Sequence, residues 1–462
     1  MKASLFKRVR WIPAIAAAAA LSLVGISAPA QAQGAGNINP NTPSSLTIHK
    51  YDGDQGPRGD GTELGDTSNL GNPLSGVEFT ITPITERNGQ PIDLDTDAGW
   101  NLIDGATVDQ VNGGNGYVKG TPQQVVTGAD GTVTTGLPHG LYLVEETDPG
   151  DNNIVSPAQP FLVTLPLPQT GGKWLYDVHV YPKNKINETT PTKEVERPNA
   201  LVIGSQVTWT ITAPVPPKAA DDTYRTFTIT DRLDPRLTCE SVTLEGFDPA
   251  DYTVTCNGQT ANISMNASGL AKLNAGDNVV MKVVTTVDSL GDNGVIENEA
   301  VVNTNGSSVT TNKPSTNWGP LEILKYADND ESATLAGAVF EIYEERDGTT
   351  PVGTITTGDN GRASITLWVG SNDVQSKEYW IKETKAPAGY TLPQDPWTSV
   401  NVEANGEATP TLVKISNKQK DRGELPFTGA NGQLMLTILG IALLMLAIGA
   451  GIVRYTRRAR QS

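Results

Sequence analysis

The 462-residue sequence predicts an all-β protein built as three β-sandwich domains in series. Three observations predict this. Between about residues 45 and 417 the chain reads as short β-branched, alternating runs, such as Val207-Thr208-Trp209-Thr210-Ile211-Thr212 and 279–287. Gly, Asn, Asp and Pro separate these runs, and long amphipathic helices are absent. At roughly 100–150 residues per unit, that length holds three sandwiches. Finally, the chain repeats itself: Leu46-Thr47-Ile48-His49-Lys50-Tyr51 recurs as Leu321-Glu322-Ile323-Leu324-Lys325-Tyr326, Leu74-Ser75-Gly76 as Leu335-Ala336-Gly337, and Tyr142 through Glu146-Thr147 as Tyr379 through Glu383-Thr384. The first and third domains therefore share a fold, and a different one separates them.

At the N-terminus, Lys2, Lys7, Arg8 and Arg10 precede an apolar run over 11–26. Ala28-Pro29-Ala30 and Ala30-Gln31-Ala32 then offer small-residue cleavage sites, so residues 1–32 read as a secretory signal peptide. Composition suits an exported β protein. With 47 Gly, 31 Pro, three His and a formal net charge of −17, the chain is a poor candidate for nucleic-acid binding or a His-rich metal site, and no cofactor is called for. Export favours one local disulfide between Cys239 and Cys256, the alternative being two buried free thiols. The acidic loops 52–60 and 328–331 lack a recognised calcium-ligand register and read as solvated turns. The Arg58-Gly59-Asp60 tripeptide recurs too easily by chance to carry a receptor assignment.

The first domain, 45–185, ends on Trp174-Leu175-Tyr176-Asp177-Val178-His179-Val180-Tyr181-Pro182-Lys183-Asn184. Alternation puts Trp174, Tyr176, Val178 and Val180 on one face of a strand, and Pro182 is expected to stop the pairing just before Lys183, leaving the lysine at the domain edge. In the middle domain, 186–318, Lys193 lies on the first strand and Asp231 in Phe227-Thr228-Ile229-Thr230-Asp231. A late strand, Ile296 through Val302, puts Asn298 and Ala300 on one face and the competing Asn303 on the other. The third domain, 319–420, has Lys325 on its first strand, Glu383 in Tyr379-Trp380-Ile381-Lys382-Glu383-Thr384, and Asn417 on its last. Beyond it come Leu425, Pro426, Phe427, Thr428 and Gly429, an apolar run over 434–453 and a tail, 454–462, with Arg454, Arg457, Arg458 and Arg460. At about 1.5 Å per residue, 20 apolar helical residues span the roughly 30 Å bilayer core, and the basic tail stays in the cytoplasm.

These residues carry several resemblances. The C-terminal ensemble resembles a cell-wall sorting signal, and residues 319–420 resemble the collagen-adhesin B-type domain of Gram-positive surface proteins, including its E-box glutamate. Residues 186–318 resemble the A-type partner of that domain. The stretch from Trp174 to Asn184 resembles the WxxxVxVYPKN motif of sortase-assembled backbone pilins, and over nearly its full length the chain resembles the corynebacterial and actinomycete shaft pilins. The resemblance implies immunoglobulin-like sandwiches in the order B-type, A-type, B-type. It also implies intramolecular isopeptide bonds, in which a Lys amine attacks an Asn carboxamide and releases ammonia: Lys325 with Asn417 assisted by Glu383, and Lys193 with Asn298 assisted by Asp231. An apolar core favours the neutral amine and the protonated acid that such a reaction uses. Lys50, Glu146 and Asn184 hold the equivalent positions in the first domain and allow a third bond. Against it, Asn184 adjoins the lysine that must stay accessible, and members of the pilin family differ on whether this domain is crosslinked.

The function implied is a sortase substrate rather than an enzyme, whose only chemistry of its own is self-crosslinking. A pilus-specific class C sortase would cleave after Thr428 and join its carboxyl to Lys183 of another copy, building an open filament. The implied partners are other copies, accessory pilins, and peptidoglycan reached through a housekeeping sortase. The implied location is the wall and fimbrial surface of a Gram-positive bacterium, with a transiently membrane-anchored precursor. A wall-anchored monomeric adhesin or accessory pilin is the rival; it would need the sorting signal but not Lys183 in its motif. No host receptor is named by the sequence.

Overall fold

The computed structural model describes residues 38–421 and the helix Asn431–Arg458. The signal-peptide reading and the pentapeptide from Leu425 to Gly429, with Thr428, lie outside the described residues.

The first sandwich is organised by the strand Ser44–His49, which lies between Asp177–Val180, its parallel neighbour, and Thr132–Leu137, its antiparallel one. The facing sheet is centred on Glu78–Arg87 paired with Gly140–Asp148, which in turn pairs with Phe161–Leu165. Alternation turns Leu46 and Ile48 inward against Phe79, Ile81, Val144 and Val178. Two short helices, Asp97–Ile103 and Val108–Asn112, interrupt the β pattern; Thr96 caps the first and Thr107 forms a capping box with Gln110 on the second. They cover a satellite cluster of Ile84, Leu94, Ile103, Val111, Leu141 and Leu143. Elements of five to seven residues show too little periodicity to be read in advance.

The middle sandwich packs Thr192–Val195, Gln206–Pro214, Asn278–Val287 and Leu237–Leu244 against a sheet of Tyr252–Asn257, Thr260–Met265, Phe227–Arg232, Ala300–Thr304 and Ser307–Thr310. Within Asn278–Val287, residues 279–287 alternate strictly between buried and half-buried positions, and the Trp209 indole donates to Thr285 Oγ1 at 3.0 Å inside the core. A disulfide joins Cys239 on one sheet to Cys256 on the other, with Cα atoms 5.5 Å apart. The expected late strand is not continuous. Val295–Glu297 pairs with Ser315–Asn317, whereas Ala300–Thr304 joins the opposite sheet, so Asn298 sits at the switch between them.

The third sandwich repeats the first. Its leading strand, Ser315–Ala327, has Thr411–Asn417 as its parallel neighbour and Arg362–Ser371 as its antiparallel one. The facing sheet runs Gly353–Thr356, Val339–Tyr343, Ser376–Lys385, Trp397–Glu403. Leu321 and Ile323 match Leu46 and Ile48, and all four are fully buried. The 13-residue leading strand belongs to two domains, since it pairs with Arg362–Ser371 from Thr316 onward while its first residues also pair, on the other edge, with Val295–Glu297. From the middle domain, Leu201 enters the third core, and its carbonyl accepts the Trp368 N–H at 3.0 Å. The C-terminal helix carries a 19-residue span, Leu436–Arg454, with mean hydropathy 2.6, long and apolar enough to cross a membrane.

Candidate functional site: three buried lysine–acid–asparagine clusters and a strand-end lysine

In the third domain, Lys325 points inward from its strand because Ile323 does, two residues earlier. Its ammonium lies 2.9 Å from Glu383 Oε2 and donates to Asn417 Oδ1, while Asn417 Nδ2 donates to Glu383 Oε1 at 2.7 Å. All three side chains are buried, with the Phe340 ring 5.6 Å from the ammonium. The parallel register explains the meeting. Lys325 pairs with Ile415 and Ala327 with Asn417, so the asparagine lies one inward-facing step along the neighbouring strand.

The first domain has the same arrangement. Lys50 lies 2.9 Å from Glu146 Oε2 and donates to Asn184 Oδ1, and Asn184 Nδ2 donates to Glu146 Oε1 at 2.7 Å. Again the asparagine pairs with the residue two beyond the lysine, here Asp52. One contact has no counterpart among the described bonds of the third domain. The Ala158 backbone N–H donates to Asn184 Oδ1 at 2.7 Å and, at 3.3 Å, to Glu146 Oε2.

In the middle domain Lys193 is 2.6 Å from Asp231 Oδ2, and Asn298 Nδ2 donates to the same oxygen at 3.2 Å. Asn298 Oδ1 and Asp231 Oδ1 are buried without a hydrogen-bond partner. Asn303 faces away and bonds Ser308 on the neighbouring strand. Asn312 fastens the lysine's strand by accepting the Lys193 N–H and donating to its carbonyl. Neither Asn312 nor Ala158 carried a signal in the sequence, because one acts on backbone and the other through it.

Burial sets the electrostatics. It lowers the Lys50 and Lys193 ammoniums to about 8 against the opposing pull of Glu146 and Asp231, and it lowers Lys325 as well. Burial also raises the Asp231 carboxyl, with Lys193 pulling the other way. Two unlike charges out of water cost several kcal/mol per ion before their attraction is counted, so burial lowers the cost of moving the proton from amine to acid. A neutral amine touching a carboxamide, with an acid touching both, can form an amide. The product holds no charge, which removes the desolvation cost altogether.

The strand-end lysine is positioned differently from expectation. Pro182 does interrupt the ladder, but pairing resumes at once: Lys183 pairs with Tyr51 and Asn184 with Asp52, in the register already set by Ile48 with Val180. One residue without an N–H removes one bond and leaves the strand direction intact. With Asn184 turned inward, Lys183 turns outward and is half-buried, its side chain running past Gly53, where a Cβ would stand 3.9 Å from Nζ. Gly53 has φ +114°, which favours glycine. The face expected of Trp174, Tyr176, Val178 and Val180 is also broken. Lys173–Leu175 pairs with Leu167–Gln169 and only Asp177–Val180 pairs with Ser44–His49, so Trp174 packs at a tilt against Trp100 while Val178 enters the core. Tyr181 is held between the His49 ring, 4.6 Å away, and the Leu64 N–H, which donates to its hydroxyl at 2.8 Å. Among the described residues no group of three or more His, Cys, Asp or Glu is placed to hold a metal ion.

Comparison with known proteins agrees with this architecture. Residues 41–185 match the family of the Gram-positive pilin subunit D1 N-terminal domain, 188–317 match the Sgo0707 N2 domain, and 319–419 match a prealbumin-like fold domain. Fimbrial subunit type 2 of Actinomyces naeslundii is 36% identical, with 95% of each chain covered. Fimbrial subunit type 1 of Actinomyces viscosus is 30% identical, with 96% of each covered. Among solved structures, the full-length major pilin SpaD of Corynebacterium diphtheriae superposes with a TM-score of 0.64 at 28% identity, covering 84% of this chain and 99% of that one. The chain belongs to the family of Gram-positive fimbrial subunits, structural pilins rather than enzymes.

Proposed function

We propose that this chain is the shaft subunit of a covalent cell-surface fimbria. A sortase cleaves between Thr428 and Gly429, and the Thr428 carboxyl is joined to the Lys183 amine of the next copy. The observation that carries the reading is the outward placement of Lys183 at the end of the complete pilin motif, in a chain that also holds its own sorting pentapeptide. Donor and acceptor lie at different places on one chain, so repetition gives a head-to-tail filament rather than a closed ring. A pilus-specific class C sortase is the enzyme this reading requires. Accessory pilins, and attachment to peptidoglycan by a housekeeping sortase, complete the assembly on a Gram-positive wall. Tandem mass spectrometry of protease-digested wall polymers should find a branched peptide in which the Lys183 side chain carries residues ending in Thr428. Polymers linked through any other lysine would contradict the assignment.

Within each subunit, the three buried clusters are proposed to close as Lys50–Asn184, Lys193–Asn298 and Lys325–Asn417 isopeptides, with Glu146, Asp231 and Glu383 relaying protons. Each bond loses one ammonia, about 17 Da by stoichiometry, so the intact mass should fall short by about 51 Da beyond the disulfide's two hydrogens. Glu383→Ala and Asp231→Ala should each restore one ammonia's mass beyond the substitution itself. An unchanged bond count in either variant would refute the role given to that acid.

A further inference from the structure

The three clusters treat their reacting carbonyl differently. Asn417 Oδ1 accepts only from Lys325 among the described bonds, and Asn298 Oδ1 has no partner at all. Asn184 Oδ1 alone meets a backbone donor, the Ala158 N–H at 2.7 Å. We propose that this N–H is the oxyanion donor of the first domain's crosslinking site, and that docking of the middle domain sets its position. The inference rests on the reading that Lys50 and Asn184 form a bond.

The chemistry needs such a donor. In the ion pair, Lys50 first passes a proton to Glu146. The neutral Nζ then attacks Asn184 Cγ, the carbonyl π pair moves onto Oδ1, and a tetrahedral centre forms with negative charge on that oxygen. Glu146 gives a proton to Nδ2 and takes one from the Nζ now bound to Cγ. The pair on Oδ1 re-forms the carbonyl as the Cγ–Nδ2 bond breaks, ammonia leaves with that bond's pair, and a neutral Nζ–Cγ amide remains beside a protonated Glu146. Protons and electrons balance without a co-reactant. A fixed N–H aimed at the oxygen in a water-excluded core stabilises the step that builds charge, because it has no reorganisation left to perform. The Lys50 ammonium, which also touches Oδ1 in the ion pair, loses its charge before attack and cannot serve in that role.

Ala158 owes its position to two domains. It follows the strand Ile154–Ser156, which pairs with Lys185–Ile186 just beyond the reacting asparagine. The middle domain grips the same strand. The Ala219 N–H donates to Ser156 Oγ at 3.1 Å, and the Asn305 amide donates to the Val155 carbonyl at 3.2 Å. Val155, Ser156 and Ala158 are all buried. Closure of the first domain's covalent bond is thereby tied, through this donor, to its seating on the next domain, whereas the third domain's cluster has no such backbone donor among the described bonds.

The test follows bond formation over time in chain made by cell-free synthesis, quantifying the Lys50–Asn184 and Lys325–Asn417 crosslinked peptides by mass spectrometry, with the second bond as an internal clock. Ala158→Pro removes the N–H and should slow the first bond by on the order of 100-fold while leaving the second unchanged. Ala158→Gly keeps the N–H and should keep the rate. Ser156→Ala, which loosens the seat, should slow the first bond severalfold. Wild-type rates in Ala158→Pro would overturn the assignment. Should that variant leave the first domain protease-sensitive, Ser156→Ala decides, an unchanged rate there overturning the inference and a selective slowing supporting it. Wild type that joins Lys325 to Asn417 but never Lys50 to Asn184 would instead remove the crosslinking reading beneath it.

Discussion

Replacing Lys183 by alanine should abolish the ladder of high-mass covalent polymers in wall extracts while export of monomer continues. The expected effect is all-or-none, because a sortase-bound acyl intermediate needs a positioned amine, and an incorrectly placed lysine is not a slower substitute for a correctly placed one. The structure makes the substitution a clean one. Lys183 faces outward, and its backbone pairing with Tyr51 does not depend on the side chain. None of the ion pairs among the described residues includes Lys183, whereas Lys185 nearby is tied to Asp54 at 2.8 Å. Lys185→Ala should accordingly leave polymer length near normal. Immunoblots of muramidase-released wall material read both outcomes, and a persisting ladder of ordinary length in Lys183→Ala would sink the shaft-subunit reading.

Removing the third domain's crosslink should turn an inextensible module into one that melts and unfolds. The proposed bond joins residues 92 apart in sequence, so by analogy with a disulfide its loss should free about 4 to 5 kcal/mol of unfolded-state entropy. For a domain of this size that corresponds to a fall in melting temperature of roughly 20 °C or more. Two variants separate the causes. Lys325→Ala also strands Glu383 in the core without its cation, whereas Asn417→Ala removes only the bond and keeps the ion pair. Both should melt early, Lys325→Ala earlier. Under a pulling force, tension arriving along Ser315–Ala327 crosses to Asn417 through the bond in the parent protein. In either variant the sandwich opens and releases about 300 Å of chain at about 3.4 Å per residue. Single-molecule traces in which the variants match the parent would show that this chemistry does not serve tensile strength.

Much of this arrangement was legible because it is written in alternation. Leu46-Ile48-Lys50 and Leu321-Ile323-Lys325 place a lysine in the next inward position after two core residues, and a lysine there needs polar partners; that these are an acid and an asparagine is what the resemblance to the isopeptide-forming domains implies. The repeat then carried Glu383 and Asn417 onto Glu146 and Asn184. What was not legible depends on pairing between distant strands. The parallel register that sets each asparagine two residues past its lysine's partner comes from a contact between chain ends, and no local pattern encodes it. The same holds for the strand that changes sheets at Asn298, where a continuous alternating run hides the switch because inward residues stay inward on either side of it. Pro182 misled in the other direction: it was read as the end of pairing, but the neighbouring strand's register carried the ladder past it. Ala158 was invisible because its contribution is a main-chain N–H, which every residue but proline possesses.

The strand Ser315–Ala327 has a consequence for how such chains can be recombined. The sequence repeat places the start of the third domain near Gly319, and there a gene fusion or a natural crossover would be expected to exchange whole modules. A junction at that point cuts a strand in mid-ladder, parts residues 316–318 from their native partners on Arg362–Ser371, and separates Leu201 from the core it enters. The second and third domains are therefore a single heritable unit. Variation by domain shuffling should fall upstream, in the connector around residues 187–191, and chimaeras joined there should fold where those joined at Gly319 do not.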